Sequence, residues 1–564
     1  MKKSFYWFSL CMLLFPLSTY SQNVGVGTGS PIFKLDVRNG SINTDSVYRI
    51  ATNTILAAPG TSNLFVGIGS GSINGGFQNT FCGAGAGEFS AGGDQNSFFG
   101  YNAGRQNSSG SSNAFFGVSS GSKNSTGDFN SIFGAFGGTQ NTDGSWNCFF
   151  GYTAGSNNSL GNFNSYYGAG TGAMNTTGGY NSFFGKEAGR NNTIALNNSF
   201  FGALAGFSNQ TGTANCFFGK SAGYNNTASN NSFFGYSAGF ANTSGTENSF
   251  FGMNAGSSNT GGDFNTFIGS SAGTSSVGGN NNSFLGYSAG SSNTSGFRNS
   301  FFGAQSGATN VSGANNCFFG VEAGRDNIGN TNSFFGESAG SVNITGIKNS
   351  FFGQATGATN FTGERNTFLG ANADVSADGF NNTTAIGYNA QGTASQQVRI
   401  GNSFVNSIGG FANWSNISDG RFKTSVQEDV KGLDFILQLR PVTYNLDIDG
   451  INRVLAANKK TNSTEIDQSG MAAKASVRYS GFVAQEVESA AKELGYDFSG
   501  VDAPKNSNDF YSLRYAEFVV PLVKAVQEQQ KIIESQQATI DSLKQENLLI
   551  RDQLSIIKKK LGIE

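Results

Sequence analysis

The sequence contains no histidine. Histidine is the usual general base beside a serine or cysteine nucleophile, and it is the commonest metal ligand in proteins. Its absence excludes a Ser-His-Asp triad, a Cys-His pair and any His-ligated metal site. A serine nucleophile in this chain would need another base, and lysine is the known variant. We expect no metal site and no cofactor.

Charge is also scarce, since 12% of the residues are charged and the net charge is −2. A protein that binds nucleic acid or an anionic membrane surface normally carries a basic patch. The composition therefore gives no reason to expect either partner. Proline is absent between Pro59 and Pro441, as a continuous backbone hydrogen-bond ladder requires.

Cysteine is rare, and its spacing argues against a disulfide framework. Cys148, Cys216 and Cys317 occupy the same place in a repeated unit, several units apart. At about 5 Å per stacked strand, these separations exceed the reach of a disulfide within one chain. We interpret them as replacements for the serine usual at that place, and Cys82 as part of no framework. Cys11 lies inside an N-terminal apolar run rather than at its end, which disfavours a lipoprotein anchor.

Residues 1–21 have the pattern of a secretory signal peptide. Lys2 and Lys3 precede the apolar run Phe5–Leu17, and small residues follow before Gln22. The run is too short to span a bilayer as a helix. We expect an exported protein, extracellular or on the cell surface, with no membrane span in the mature chain.

Residues 22–62 read as a cap segment. A glycine- and proline-rich stretch is followed by alternating apolar residues at Phe33, Leu35 and Val37, which is typical of a strand. The segment resembles the short N-terminal pieces found ahead of phage-fibre and adhesin-like repeats. The alternative is an irregular cap on the first repeat.

One internal repeat fills residues 63–393, with a unit close to N-S-F-F-G-x-x-A-G-x-x-N-x-x-G-x-x. The period is 17 residues, with 16 at a few steps. A unit this short cannot bury its apolar residues alone and must stack on its neighbours, as in a solenoid. After Asn63, units begin at Asn79, Asn96, Asn113, Asn130, Asn147, Asn164, Asn181, Asn198, Asn215, Asn231, Asn248, Asn265, Asn282, Asn299, Asn316, Asn332, Asn349, Asn366 and Asn382.

The unit is too rich in glycine for paired helices, so we expect two short strands per turn joined by tight glycine and asparagine corners. In Ser97-Phe98-Phe99-Gly100 and its copies, adjacent side chains must point to opposite faces of a strand. One Phe can fill the coil while the other forms an outward column. Such a column favours burial between chains in an oligomer. The alternative is a wider single-chain solenoid that encloses both rings. The repeat resembles the heads of trimeric autotransporter adhesins, which are trimeric parallel β-rolls.

After a connector at 394–417, the composition becomes that of a small α+β domain, residues 418–515. The expected elements are a short helix at 432–441, a strand at 442–446, a polar loop at 447–478, a strand at 479–483 and a helix at 484–494. The expected fold class is therefore mainly β. We expect a long, trimeric β-solenoid or β-roll, followed by the small α+β domain and a C-terminal coiled-coil helix.

Residues 516–562 carry a heptad pattern typical of a parallel coiled coil. Gln529, Gln536 and Asn547 interrupt the seam and would fix its register. The alternative is a long helix packed on its own domain. One column is Val519, Val526, Ile533, Ile540, Asn547, Leu554 and Leu561, and the other is Leu522, Gln529, Gln536, Leu543, Ile550 and Ile557.

A serine with a lysine five residues later, Ser418 and Lys423, stands at the boundary between repeat and domain. If Ser418 attacks the carbonyl just before it, the bond cut is Ile417–Ser418. Asp419 and Arg421 would be supporting residues, with Arg421 as a nearby positive charge that favours a neutral amine. The alternative is that Ser418 is a turn or N-cap residue, Asp419 its acidic companion and Lys423 a solvated charge.

Several landmarks occur in a fixed order: Ser418-Asp419-x-Arg421-x-Lys423, Leu439-Arg440-Pro441-Val442, Gly481-Phe482-Val483-Ala484-Gln485-Glu486-Val487, Tyr515, and Ala525-x-x-Glu528-Gln529-Gln530. Over about residues 415–535 the chain resembles the C-terminal intramolecular chaperone of phage endosialidase tail spikes, an auto-cleaving peptidase domain. The resemblance implies a domain that trimerises, assists folding of the β-structured stalk before it, and releases itself through a Ser-Lys dyad. Carried over, Ser418 is the nucleophile and Lys423 the general base. Phe422 departs from the family, which usually has an aliphatic residue there.

The sequence thus predicts an exported homotrimeric fibre or adhesin-like protein that acts as a serine peptidase once, on itself, with an unknown surface ligand. The alternative is the same fibre with a non-cleaving trimerisation clamp. A hydrolase with external substrates finds no support, because the repeat shows no paired-carboxylate motif.

Overall fold

The computed structural model describes residues 47–456 and 468–563, together with the backbone of two short strands before them. The predicted signal peptide lies outside the described residues. The chain divides into two compact units, Met1–Ser165 and Tyr166–Glu564. In the described part of the chain, no helix is long and apolar enough to cross a bilayer.

The first unit begins with β1 (Val24–Val26), which pairs in parallel with β2 (Leu35–Val37). A hairpin of β3 (Val47–Ile50) and β4 (Asn53–Ala57) then pairs antiparallel with β5 (Leu64–Val66). From β5 onward each strand pairs in parallel with the same strand of the next repeat. These strands are β6 (Thr80–Cys82), β7 (Ser97–Phe99), β8 (Ala114–Phe116), β9 (Ser131–Phe133) and β10 (Cys148–Phe150).

Within the second unit, the repeat strands pair in parallel and in register from β12 onward. The repeat strands that follow β10 are β11 (Ser165–Tyr167), β12 (Ser182–Phe184), β13 (Ser199–Phe201), β14 (Cys216–Phe218), β15 (Ser232–Phe234), β16 (Ser249–Phe251), β17 (Thr266–Ile268), β18 (Ser283–Leu285), β19 (Ser300–Phe302), β20 (Cys317–Phe319), β21 (Ser333–Phe335), β22 (Ser350–Phe352), β23 (Thr367–Leu369), β24 (Asp374–Val375), β25 (Thr384–Ile386), β26 (Gln391–Gly392) and β27 (Val398–Ile400).

The expectation of two strands per turn is wrong for most turns, which hold one three-residue strand. The rest of each turn is a series of tight bends. In one turn, Asn254 and Gly256 both have positive φ, 57° and 56°, a left-handed conformation that no extended strand can contain. A second strand does form near the end of the repeat, where β24 pairs with β26.

The two aromatic side chains separate as predicted in the strands that carry a pair. Phe250 is fully buried and stacks on Phe233 and Phe267, with ring centroids 4.8 Å apart on both sides. Phe251 points outward, is 39% exposed, and stacks on Phe234 at 4.7 Å. The interior is therefore a column of first-position rings, and the second-position rings form a column on the surface.

Buried asparagines form a second ladder beside the rings. The Asn248 side-chain oxygen accepts the Asn265 backbone N–H over 3.0 Å, and its side-chain nitrogen donates to the Gly262 carbonyl over 2.8 Å. Asn248 is fully buried. Its amide satisfies backbone groups of the next turn that strand pairing does not reach, which explains the asparagine at the start of the units. The unit start predicted at Asn382 is wrong, because buried Thr383 holds that place and donates its N–H to Asn366 Oδ1 over 2.8 Å.

The cysteines of the repeat lie where serine usually stands. Cys216 pairs with Ser199 and Ser232 on the neighbouring strands, and Cys317 with Ser300 and Ser333. Burial raises the pKa of both thiols. They are half-buried replacements for serine, as predicted.

The C-terminal region follows the predicted order of a small α+β domain and a long helix. Its elements are a 3₁₀ turn (Gly420–Phe422), α1 (Leu433–Gln438), β28 (Val442–Tyr444), α2 (Ile448–Ala456), α3 (Gln468–Ser476), β29 (Tyr479–Gly481), α4 (Ala484–Glu493), β30 (Val501–Asp502), β31 (Ser512–Leu513), a second 3₁₀ turn (Tyr515–Phe518) and α5 (Val519–Leu561). The strand pairs β28–β29 and β30–β31 are antiparallel.

The loop expected at 447–478 is the one wrong element among these, because α2 and α3 lie within it. Ile448 and Ile451 recur at helical spacing and give α2 an apolar side, on which Ile448 is buried. The polar composition of the segment hid this period. Residues 457–467 lie outside the described residues.

The core of the domain is a cluster around Phe435. Phe498 lies 5.0 Å from the Phe435 ring and meets Phe518 edge-on at 4.9 Å. Val487 of α4 closes the cluster. The apolar residues of the α5 seam, in contrast, are 46–66% exposed. The first turns of α5 pack on the domain, and the rest of the helix presents its seam to solvent in the single chain.

Candidate functional site

A single tight turn organises the residues that follow the connector. The Asp419 carboxylate accepts the Arg421 backbone N–H over 2.9 Å and so caps the 3₁₀ turn. The Phe422 N–H bonds to the Asp419 carbonyl, and the Lys423 N–H bonds to the Gly420 carbonyl. Aspartate is a favoured capping residue because its short side chain reaches these unpaired amides. The turn folds the chain back between positions 418 and 423.

This turn brings together the two residues that the sequence predicted as a dyad. The Lys423 ammonium nitrogen, Nζ, donates to the Ser418 hydroxyl oxygen over 2.9 Å. Both side chains are exposed in the single chain. A contact of this length is within reach for proton transfer between a hydroxyl and an amine.

Arg421 is engaged within the turn. Its guanidinium donates to Asp419 Oδ2 from Nε at 2.9 Å and from Nη2 at 2.6 Å, and it lies 5.6 Å from the centre of the Phe422 ring. The hydrogen bonds from Arg421 lower the pKa of Asp419. The ion pair therefore steadies the cap, and the predicted effect of Arg421 on the base stays a prediction.

The chain before the dyad carries large exposed apolar side chains. Ile417 is 92% exposed and Trp414 is 88% exposed, and Phe422 within the turn is 74% exposed. Apolar side chains this open in a single chain are typical of surfaces that another surface covers. The bond between Ile417 and Ser418 thus lies on an accessible segment flanked by apolar groups.

The other landmark residues lie away from the turn and hold the domain together. Arg440, just before β28, forms a two-point ion pair with Glu486 of α4. The Tyr515 hydroxyl accepts the Phe482 backbone N–H over 3.2 Å. A Cβ at Gly481 would overlap the Tyr515 hydroxyl, so glycine there leaves room for this contact. These residues support structure, and the structure does not bring them to the dyad.

Sequence reasoning missed a role for Glu528. Its carboxylate, on α5, accepts the Leu433 N–H at the start of α1 over 2.7 Å. The residue before α1 is Gly432, which has no side chain to cap the helix. Because Gly432 cannot cap α1, the sequence at this position indicates that a residue from elsewhere in the chain must do so.

Comparison with known proteins agrees with this organisation. Residues 418–496 match the family described as chaperone of endosialidase. The predicted resemblance of the C-terminal region is thereby confirmed, and the match starts at Ser418. A chaperone-of-endosialidase region after a β-solenoid is the arrangement of a phage tail-fibre-like protein. No curated protein matches the chain.

Proposed function

We propose that this protein is an exported, trimeric fibre protein whose C-terminal domain is an intramolecular chaperone that cuts the chain once, between Ile417 and Ser418. The family match and its position after the solenoid support the chaperone and fibre roles. The 2.9 Å contact between Lys423 Nζ and Ser418 Oγ is the observation that carries the cleavage.

The proposed cleavage depends on the position of Ser418, whose hydroxyl lies directly after the carbonyl that it would attack. Lys423 in its neutral form takes the proton of the Ser418 hydroxyl, and Oγ attacks the Ile417 carbonyl carbon. The bond from that carbon to the Ser418 nitrogen breaks, and the lysine returns the proton to the leaving nitrogen. Water then hydrolyses the resulting ester, which leaves an Ile417 carboxylate and a free Ser418 amine and hydroxyl. Because the nucleophile is tethered beside its target, no substrate pocket is needed and each chain reacts once.

Assembly into a trimer would complete the site. A lysine acts as a base only where burial or positive charge favours its neutral form, and Ser418 and Lys423 are exposed in the single chain. Endosialidase chaperone domains act in trimer assembly. Neighbouring copies held together by the exposed α5 seam would cover the dyad, Trp414 and Ile417, and would exclude water from the reacting bond.

The outward phenylalanine column supports the same assembly. Phe251 is partly exposed and stacks on Phe234, and the apolar side chains Ile268 and Leu285 hold the same outward place in the next two strands. A continuous apolar stripe is an aggregation hazard in a monomer and an interface in an oligomer. As a tail-fibre-like protein, the assembly would be extracellular or part of a phage particle.

A second function is a trimerisation clamp that stays attached. The observation that favours it is the exposure of Ser418 and Lys423, since an open lysine has no desolvation to make it a base. In that case the turn at 419–423 is structural, and the domain contributes assembly without cleavage.

Intact mass and a denaturing gel of the purified full chain distinguish the two functions. Wild type, Ser418→Ala and Lys423→Met are compared, with Lys431→Met, an exposed lysine on the same segment, as the matched control. Self-cleavage predicts a fragment that starts at Ser418 in wild type and in the control, and full-length chains in the two dyad variants. If all four chains stay full-length while sedimentation gives a trimer, the clamp is correct.

A further inference from the structure

One loop of the C-terminal domain, Lys505–Asp509, contacts the last turn of the solenoid. The Thr393 hydroxyl, just after β26, donates to Asp509 Oδ1 over 2.6 Å. The Asn506 side-chain amide donates to the Thr393 carbonyl over 2.9 Å. Arg399 of β27 reaches both partners, at 3.1 Å from Thr393 Oγ1 and 3.5 Å from Asp509 Oδ1. Four polar groups from two parts of the chain therefore meet at the end of the repeat.

This contact is buried, unlike the other links between the same parts. Thr393 is 1% exposed, and the Asp509 side chain is 5% exposed. Two further links, Ser403 to Asn452 and Lys474 to the Val405 carbonyl, involve partly or fully exposed partners. Buried polar groups lose the most when a partner is removed, because water cannot replace it. The Thr393 contact should dominate the attachment.

The loop supplies the last turn with the kinds of hydrogen-bond partner that, elsewhere in the solenoid, each turn supplies to the turn before it. Two turns before Thr393, the Thr359 backbone N–H donates to the buried carboxylate of Asp374, which belongs to the following turn, over 2.9 Å. Backbone N–H groups of a turn also donate to carbonyls of the turn before it, as the Gly252 N–H donates to the Phe234 carbonyl over 2.7 Å. At the last turn no further repeat follows, and there Asp509 supplies a carboxylate acceptor and the Asn506 side chain supplies an N–H donor, as a next turn would.

We propose that the loop Lys505–Asp509 caps the C-terminal end of the solenoid by imitating its next turn, and that this cap holds the domain on the solenoid independently of the peptide bond at Ile417–Ser418. The client surface of the chaperone is then the last turn itself, with Asp509 as its principal positioning residue. The part of this inference that concerns the cut chain rests on the proposed function, whereas the cap itself does not.

The charge of Asp509 agrees with this role. Burial raises the pKa of its carboxyl group. Three opposing effects outweigh burial, so the pKa lies below its ordinary value: the hydrogen bond from Thr393, those from the backbone N–H groups of Lys505 and Phe510, and the charge of Arg399. The lowered pKa keeps the carboxylate ionised at neutral pH, which is the form that accepts the Thr393 hydroxyl.

Hydrogen exchange on full-length Ser418→Ala tests the cap without any dependence on cleavage. In this background we expect Asp509→Ala to speed amide exchange in residues 390–400 at least tenfold. Thr393→Val, which keeps the shape of the side chain, should act in the same direction, and the double variant should be no worse than Asp509→Ala. Asp497→Ala, an exposed carboxylate of the same domain, is the control and should leave the exchange unchanged.

Exchange within twofold of the parent for both Asp509→Ala and Thr393→Val would overturn the cap. Additive effects of the two substitutions would show that the residues act separately, and would overturn their pairing.

Size-exclusion chromatography of the self-cut wild type tests retention. We expect the fragment from Ser418 to elute with the solenoid at neutral pH, and to elute separately in Asp509→Ala. Separation in the wild type would refute retention. A chain that is never cut would refute the proposed cleavage, and the exchange experiment would still decide the cap.

Discussion

The Glu528 carboxylate, on the C-terminal helix, caps a helix of the domain by accepting the Leu433 backbone N–H over 2.7 Å. The two residues are 95 positions apart. The first N–H groups of any helix lack partners within the helix, and Gly432 cannot supply one. The contact thus fixes the direction in which α5 leaves the domain, and so where a coiled coil would place neighbouring copies.

We predict that Glu528→Ala lowers the free energy of unfolding of the domain by about 1–2 kcal/mol, the usual size of a lost helix cap. Glu534→Ala on the same helix is the control, because Glu534 is exposed and bonds to Gln530 one turn away. Thermal unfolding followed by circular dichroism measures both. Equal effects of the two substitutions would contradict a capping role.

The adjacent rings Phe250 and Phe251 should respond differently to the same truncation. Phe250→Ala removes a fully buried ring and should destabilise the solenoid by about 3–5 kcal/mol. Phe251→Ala removes an outward ring and should change the stability of a single chain much less. Chemical denaturation measures this difference, and similar losses for both would mean that the outer column is as enclosed as the inner one.

Sedimentation velocity on the same pair tests the proposed interface between copies. If the chain forms the proposed trimer and the outward column is buried between its copies, Phe251→Ala should shift the assembly toward smaller species at low protein concentration. The wild type and an exposed control, Gln210→Ala, should sediment alike. An unchanged trimer would place the outward column outside the interface.

Glycine is required where the chain turns after each strand. Gly235 has φ of +142°, and a Cβ there would overlap the Gly252 carbonyl of the next turn. Gly235→Ala should therefore destabilise the solenoid by at least about 2 kcal/mol, since both strain and overlap oppose it. Gly278→Ala is the matched control, because a Cβ at Gly278 meets no atom within 4 Å. Comparable melting temperatures for the two variants would show that the turn can relax.

The asparagine ladder should be as important as the rings. Asn248→Ala leaves the Asn265 N–H and the Gly262 carbonyl without their side-chain partners in a buried place. Each such loss costs about 1–3 kcal/mol, so we expect about 2–6 kcal/mol in all. Hydrogen exchange should locate the damage at the turns on either side. A smaller loss in the free energy of unfolding would mean that water enters the space left by the side chain and replaces its hydrogen bonds.

The separation of the two rings in each strand could be predicted because side chains alternate along any extended strand, whatever the rest of the turn does. The single strand per turn could not. It depends on residues such as Leu204 and Phe264, which adopt positive φ of 63° and 58° although their side chains disfavour it. Stacking against neighbouring turns imposes that conformation, and the propensity of an isolated residue does not reveal it.

The pairing of Ser418 with Lys423 could be predicted because both residues belong to one turn and to one set of ordered landmarks. The contacts of Glu528 with Leu433 and of Asp509 with Thr393 could not, because they join positions that are 95 and 116 residues apart. No local pattern records which distant amide or hydroxyl a carboxylate will meet.

Asp419 should control cleavage by shaping the turn rather than by reacting. Asp419→Asn keeps a capping oxygen and should cut at nearly the wild-type rate, whereas Asp419→Ala should cut at least tenfold more slowly because Ser418 and Lys423 separate. Arg421 lowers the pKa of Asp419. The ionised Asp419 carboxylate therefore stabilises the turn fully above the ordinary aspartate pKa. This stabilisation of the turn is lost only as the pH falls through the lowered pKa of Asp419. Gel time courses after refolding between pH 3 and pH 8 measure the rates. Equal rates for the alanine and asparagine variants at neutral pH would contradict this role, and a slow asparagine variant would mean that the charge of Asp419, beyond its shape, takes part in the reaction.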